Sequence, residues 1–375
     1  MTASSRPRLL ASIVTALACS ALLQACGGDG YGGSSGNNGN MTGQGYAAAT
    51  LASDAAATYS STYSDANLVN GWGVAMNPAG FAWVANEGTS TATLYDGNGI
   101  PQAPVVAIPA GLAGAARPTG LVYNGSASDF MVRQGIASGA SQFVFAGLAG
   151  TIAGWSPTLD MSRAFTVVDN AAAGSVYTGL ALATQGDARF LYAADFANGR
   201  VDVFDADFAE AGAAGGFTDP SLPAGYAPFG IQAIGDRIYV AYAKLDPSTQ
   251  EEQAGAGLGV LDVFDSAGTL LQRLVPAGGV LDAPWGMAMA PANFGRFSNA
   301  LLVGNFGDGK INAFDPTTGA LLGTLADAAG APLVIDGLWG IAFGNGINGL
   351  PTNTLFYAAG PADETHGVFG RIDAR

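Results

Sequence analysis

The chain is poor in the residues from which most protein chemistry is built. Of its 375 residues one is histidine and two are cysteine, which excludes zinc sites with several imidazoles and a framework of disulfides. Positive charge is scarce as well. Fourteen lysines and arginines stand against 29 acidic residues, and the net charge of −15 repels a phosphate backbone, so nucleic acid is not an expected partner. Charged residues make up 11% of the chain and hydrophobic ones 49%, a balance that excludes a disordered chain and predicts a folded body. No apolar run reaches the ~20 residues of a membrane-spanning helix. What is abundant is glycine, with 56 residues, alongside 18 prolines. A turn-former at about every fifth position suits many short strands better than long helices.

The first residues read as an address. Arg6 and Arg8 precede an uncharged, largely apolar run from Leu9 to Leu23, which ends in Leu23-Gln24-Ala25-Cys26. That order is the layout of an export signal, and its last four residues resemble the lipobox of bacterial lipoproteins, which implies a mature chain beginning at a lipid-modified Cys26. An ordinary secretory signal is the competing reading. Residues 1–25 are then a lipoprotein signal peptide, 26–45 a Gly-rich tether and 46–375 the folded body. The expected place is the cell envelope, attached to the membrane by the N-terminal lipid, and the outer membrane in a Gram-negative host. Cys19 leaves with the signal, so no disulfide forms in the mature chain.

The body repeats itself. A turn residue and a glycine followed by alternating apolar positions occur six times, in NGWGVAMNP, ARPTGLVYN, VYTGLALA, YAPFGIQAI, DAPWGMAMAP and DGLWGIAFG, with shared glycines at Gly73, Gly120, Gly179, Gly230, Gly286 and Gly340. Most copies are followed by a second strand such as FAWVANEG or ALLVGNFGDG, a third such as GRVDVFD or GKINAFD, and an Asp-x-x-Gly turn toward a fourth. Asn198-Gly199 and Asp308-Gly309 predict two-residue hairpins. Six antiparallel meanders of about fifty residues cannot each bury two faces alone. Arranged radially they bury one another, which predicts an all-β fold, a six-bladed β-propeller of four-stranded antiparallel blades. A pair of β-sandwiches or a β-solenoid fits the repeat less well. The sixth unit ends at its third strand, so its outer strand is expected from the N-terminal side, around Ala49 to Ser53. Closing the ring in this way removes a strand edge that would otherwise invite association, and a monomer is expected.

The segments NLVNGWGVAMNPAGFAWVANEG, LYAADFANGRVDVFD, LDAPWGMAMAP, LLVGNFGDGKINAFDPTTG and IDGLWGIAFGNG resemble a family of exported bacterial proteins of unknown function, some of which carry a PEP-CTERM sorting tail. The unit is also similar to NHL-repeat propellers. The resemblance implies the fold and the exported address and no activity; this chain ends at Arg375 without the tail, so the N-terminal lipid is the expected anchor.

In a propeller the loop entering each innermost strand and the loop between the second and third strands open on one face. That face collects Asn70, Glu87, Asp308, Glu364 and His366 as candidate ligand-binding residues, mostly in units five, six and one. Asp282 and Asp336 each stand four residues before a shared glycine, and with Asn70 they are candidate oxygen ligands for calcium; capping of backbone amides is the competing role. Trp72, Trp285 and Trp339 are either an aromatic platform for a flat ligand or core. The insertion LDPSTQEEQAGAG after Lys244 is either an acidic lid or a solvated run. The body has no G-x-S-x-G elbow, no paired cysteines, no P-loop and no H-E-x-x-H. Two functions follow: a propeller that binds a small molecule, glycan or protein, or a calcium-dependent, lactonase-like hydrolase by analogy with six-bladed propellers of the gluconolactonase type.

Overall fold

A computed structural model describes residues 45–375. The expected signal peptide, Cys26 and the tether up to residue 44 lie outside the described residues. The six repeats are six antiparallel sheets. From the axis outward, blade 1 consists of Gly71–Met76, Ala82–Asn86, Thr91–Tyr95 and Pro101–Ala107, and blade 2 of Pro118–Tyr123, Phe143–Gly147, Thr151–Trp155 and Phe165–Asp169. Blade 3 is Tyr177–Gln185, Ala188–Asp195, Arg200–Phe204 and Glu210–Ala211, and blade 4 is Tyr226–Ile234, Arg237–Leu245, Gly259–Asp265 and Leu270–Val275. Blade 5 is Pro284–Met289, Leu301–Asn305, Ile311–Phe314 and Leu321–Thr324. Blade 6 takes Leu338–Phe343, Thr354–Ala359 and Val368–Ala374 from the end of the chain, and its outer strand, Tyr46–Ser53, from the beginning. The closing strand therefore starts three residues before the expected Ala49. It runs antiparallel to the last strand from Tyr46 opposite Ala374 to Ser53 opposite Val368.

Each innermost strand adjoins those of both neighbouring blades in an unbroken cycle. The core is correspondingly divided: six clusters of buried side chains lie one between each pair of adjacent blades. Between blades 1 and 2, for example, Trp83 stacks on Phe143 with ring centroids 4.2 Å apart. No blade has a complete core of its own, so each is stabilised by its neighbours.

The shared glycines sit where adjacent innermost strands come closest. A Cβ on Gly73 would lie 2.6 Å from the carbonyl oxygen of Thr119 in blade 2, and one on Gly340 would lie 2.5 Å from that of Trp72 in blade 1. Gly120, Gly230 and Gly286 meet the backbone of the next blade as closely, at 2.2–2.4 Å, and Gly179 less closely, at 3.2 Å. The sequence repeat is thus the footprint of a packed ring in which only glycine leaves room for the neighbouring backbone.

Two turn types recur. Asp96, Asp205, Asp265 and Asp315, each at the end of a third strand or just past it, accept backbone N–H groups two and three or four residues on, at 2.8–3.0 Å. These carboxylates hold turns, and they account for part of the acidic excess. The Asn-Gly and Asp-Gly turns differ from expectation. Asp195 pairs with Arg200, so four residues separate the strands, and of Asn198 and Gly199 only Gly199 has positive φ, at 65°. The longer loop is favoured by the Asp195 carboxylate, which accepts the Asn198 side-chain amide at 2.7 Å.

Candidate functional site

The two loops expected on one face do meet there. Backbone N–H groups just past the second strands donate to carbonyls three residues before the shared glycines: Glu87 to Asn70 at 3.0 Å, Leu148 to Arg117 at 3.1 Å, Phe196 to Val176 at 3.0 Å, Phe306 to Ala283 at 3.0 Å and Gly360 to Gly337 at 2.8 Å. The carbonyl-bearing residues in blades 1, 2, 5 and 6 are left-handed, with φ of 47° at Asn70, 50° at Arg117, 44° at Ala283 and 63° at Gly337.

On this upper face the axis is filled by side chains. Trp72, Phe229, Trp285 and Trp339 from the innermost strands are buried together with Phe196 and packed by Leu148, Leu245 and Phe306. Trp72 and Trp339 stack at 3.6 Å, Phe306 stacks on Trp339 at 4.1 Å, and Trp285 meets both tryptophans edge-on at 5.9 Å. The indole N–H of Trp285 donates to the Thr178 carbonyl at 2.8 Å. The tryptophans are an axial plug rather than an open platform.

Blade 1 breaks the pattern. Where other blades place Leu148, Phe196 or Phe306 after the second strand, it places Glu87, which is 7% exposed. Glu87 Oε2 accepts the Asn70 side-chain amide at 2.9 Å, and Oε1 accepts Arg117 Nε. Asn70 Oδ1 in turn accepts the Trp339 indole N–H at 3.1 Å. At Gly360 of blade 6, the space a side chain would need is taken by Asn70 Oδ1. A buried carboxylate demands compensation, and the chain Arg117–Glu87–Asn70–Trp339 supplies it across blades 2, 1 and 6.

The remaining candidates hold local partners. Asp282 Oδ1 accepts the Gly255 backbone N–H at 2.7 Å, and burial, with Asp308 nearby, raises its pKa. Asp308 is held by Asn305 Nδ2 at 3.0 Å and Lys310 Nζ at 3.0 Å. Asp336 is exposed and accepts the Ala362 N–H at 3.0 Å. His366 Nδ1 lies 2.7 Å from Asp54 Oδ2, whose other oxygen accepts the Gly367 N–H at 2.9 Å. That pair ties the residue after the closing strand to the last turn of blade 6. Glu364 ends a left-handed run, Ala362-Asp363-Glu364, with φ of 56°, 53° and 64°, and its N–H donates to the Gly360 carbonyl at 3.2 Å. The structure therefore joins Asn70 to Glu87 and sets Asp282 near Asp308, while Asn70, Asp282 and Asp336 each bond to different partners. Among the described residues, no three His, Cys, Asp or Glu side chains are placed to hold one metal ion. The acidic insertion folds back on its own blade, with Glu252–Gln253 pairing on Lys244 and Leu245, and it supplies the Gly255 amide that Asp282 accepts.

One group escaped the sequence reading. Asp262, on the third strand of blade 4, is fully buried and neither of its oxygens has a hydrogen-bond partner. Arg273 Nε lies 3.6 Å away, but its guanidinium donates to Asp219, and the Tyr242 hydroxyl nearby is also unpartnered. Burial pushes the Asp262 carboxyl up to about 7 from 3.8. A raised folded-state pKa means that this group's contribution is fully present below about pH 4 and is lost as pH rises through about 7. Asp262→Asn is expected to flatten that dependence and to stabilise the protein above pH 7 by on the order of 2 kcal/mol. Urea unfolding from pH 4 to 8.5 measures it; parallel curves for the two proteins would refute it.

A closed ring of six four-stranded blades, sealed by its own N-terminal strand, defines a six-bladed β-propeller. No family model matches the chain. It belongs to the same family as two proteins of Acanthamoeba polyphaga mimivirus. Uncharacterized protein R648 is 31% identical over 319 residues, covering 84% of this chain and 77% of that protein. Uncharacterized protein L690 is 32% identical over 318 residues, covering 82% and 81%. These relatives are viral, whereas the resemblance read from the sequence was to bacterial proteins. A structural genomics protein of unknown function from Bacteroides thetaiotaomicron superposes with a TM-score of 0.51 over 88% of this chain and 76% of that one at 12% identity, a likeness of fold alone.

Proposed function

We propose that the protein is a non-catalytic binding propeller, presented on a cell envelope by a lipid on Cys26, whose loops and faces hold a ligand or protein. The observation that carries this reading is the axial plug: Trp72, Phe229, Trp285 and Trp339 occupy the position where a lactonase-like propeller would place its metal and substrate. Asp282 and Asp336 each accept a backbone amide from another loop, 27 and 26 residues away, so these carboxylates already hold structural partners. Calcium as a cofactor belongs to the alternative, a hydrolase using Asn70, Asp282 and Asp336.

Calorimetric titration of calcium into the wild type and into the Asp282→Asn, Asp336→Asn double variant separates the two, with a lactone-hydrolysis screen beside it. The expected result is no calcium uptake and no turnover, and a stability loss of about 1 kcal/mol per weakened hydrogen bond. Stoichiometric calcium that disappears in the double variant, or lactone turnover, would replace the binding reading with the hydrolase. In a Gram-negative host the full chain should fractionate with membranes and Cys26→Ser should not; identical fractionation would end the lipid-anchor proposal.

A further inference from the structure

The lower face has a feature that the upper one lacks. Each innermost strand is the last strand of its sheet, so it pairs on one side only, and its other edge turns N–H and C=O groups toward the axis. At the level of the shared glycines the axial space is about 20 Å³, bounded by Gly73, Gly120, Gly286, Gly340 and Trp285, room for a single water. Below that waist it opens into a funnel of about 380 Å³ whose lining includes Met76, Tyr123, Leu182, Ile234, Met289 and Phe343. The waist and the plug above it make the funnel blind.

Its chemistry is selective by omission. In a chain of net charge −15, none of the residues lining the funnel is charged, and only Gln232 and Tyr123 bring polar side chains. A charged ligand would lose hydration there without meeting a counter-charge. Met76 and Met289 line the wall, and the flexible, polarisable thioether adapts to ligand shape, whereas Met287, 3% exposed, packs between blades 4 and 5. The free strand edges supply hydrogen-bonding groups that need a partner, from water or from a ligand. The volume falls within the ~300–1,000 Å³ of small-molecule sites.

We propose that this lower funnel is a binding site for a neutral amphipathic small molecule, an apolar frame carrying several hydrogen-bonding groups that meet the free strand edges. The ligand enters from the lower face, stops at the glycine waist and meets Gln232 and the strand edges with its polar groups. The proposal goes beyond the general reading of a non-catalytic binding propeller and does not need it. Calcium uptake or lactone turnover would end that reading and leave the funnel standing, whereas a failed probe titration would end this proposal alone.

The test uses N-phenyl-1-naphthylamine, a neutral fluorescent probe, and its anionic relative 1-anilinonaphthalene-8-sulfonate, titrated into the folded protein. Saturable one-to-one binding of the neutral probe with a blue-shifted emission is expected, and the anion should bind at least about tenfold more weakly. Gln232→Glu changes an exposed side chain at constant size and should weaken the neutral probe at least about threefold, because it adds a charge that the ligand cannot match. Met289→Trp, which fills the mouth, should abolish binding, and Asp336→Asn on the upper face should leave it unchanged. Non-saturable binding, equal affinity for the anion, or binding indifferent to both Gln232→Glu and Met289→Trp would overturn the proposal. Gln232→Glu keeps it falsifiable should Met289→Trp fail to fold.

Discussion

Deletion of residues 45–58 is expected to abolish cooperative folding, while deletion of residues 27–43 is expected to leave the melting temperature unchanged. The first deletion removes the outer strand of blade 6 and with it Tyr46, which is 2% exposed. The Tyr46 hydroxyl donates to the Phe294 carbonyl at 3.0 Å and accepts the Phe297 N–H at 3.1 Å, and its ring stacks on Phe297 at 5.8 Å. Leu51 and Ala52 leave the cluster between blades 6 and 1, and Asp54 leaves His366. Loss of a buried aromatic costs about 3–5 kcal/mol and of a buried leucine about 2–5, so the sum rivals the whole stability of an ordinary domain, ~5–15 kcal/mol. The freed edge of Val368–Ala374 also invites strand addition. Thermal melting by circular dichroism, with size-exclusion chromatography for aggregation, reads the outcome. Equal stability of the two truncations would refute the role assigned to the closing strand.

Gly340→Ala is the second change expected to have a large effect, and Gly212→Ala provides its control. Neither glycine has positive φ, so backbone strain is absent and only space differs. At Gly340 the added Cβ would lie 2.5 Å from the Trp72 carbonyl oxygen and 2.8 Å from Val74 N, whereas at Gly212 nothing lies within 4 Å. The Trp72 strand cannot yield alone, because its own glycine, Gly73, already abuts blade 2. Overpacking costs about 1–3 kcal/mol where neighbours relax and more where they cannot, so a loss of about 3 kcal/mol or more is expected from Gly340→Ala. Gly212→Ala should be neutral or stabilising by up to ~1 kcal/mol through the unfolded chain. Chemical denaturation measures both; a mild effect at Gly340 would mean that the ring is looser than the glycine contacts imply.

The ring was legible in the sequence because its tightest packing is written in one residue type. Glycine recurs where one strand's backbone leaves no space for the next strand's side chain, and the missing outer strand of the sixth unit pointed to the N-terminal side. The axis was not legible. The residue before each shared glycine is Trp, Thr, Thr, Phe, Trp or Trp in blades 1 to 6, and only the meeting of Trp72, Trp285 and Trp339 decides between platform and plug. Glu87 was a candidate among many loop polar residues. Its distinction is that the equivalent positions in other blades are Leu148, Phe196 and Phe306, which requires aligning loops rather than strands. His366 and Asp54 lie 312 residues apart and meet only once the ring closes. Asp262 sits in LDVFD, which reads like VDVFD of blade 3. There the equivalent Asp202 accepts the Tyr177 hydroxyl at 2.9 Å, and no local pattern reveals that Asp262 has no such partner.

The cycle of glycine contacts gives the propeller a periodic boundary condition. In an open array of repeats the end units have one neighbour and can fray or be lost while the remainder stays folded. Here Gly340 of the last blade rests on the backbone of the first as Gly73 of the first rests on that of the second, so there is no end at which fraying can start. Unit number is consequently a quantised property: each blade must take up one sixth of a full turn, and a gain or loss of one would mis-set all the others. Variation is confined to directions that leave the cycle untouched, as in the hairpin of Met131–Gln134 and Ala137–Ala140 in blade 2 and the fold-back at Glu252–Gln253 in blade 4, both of which lengthen a connection without altering the count.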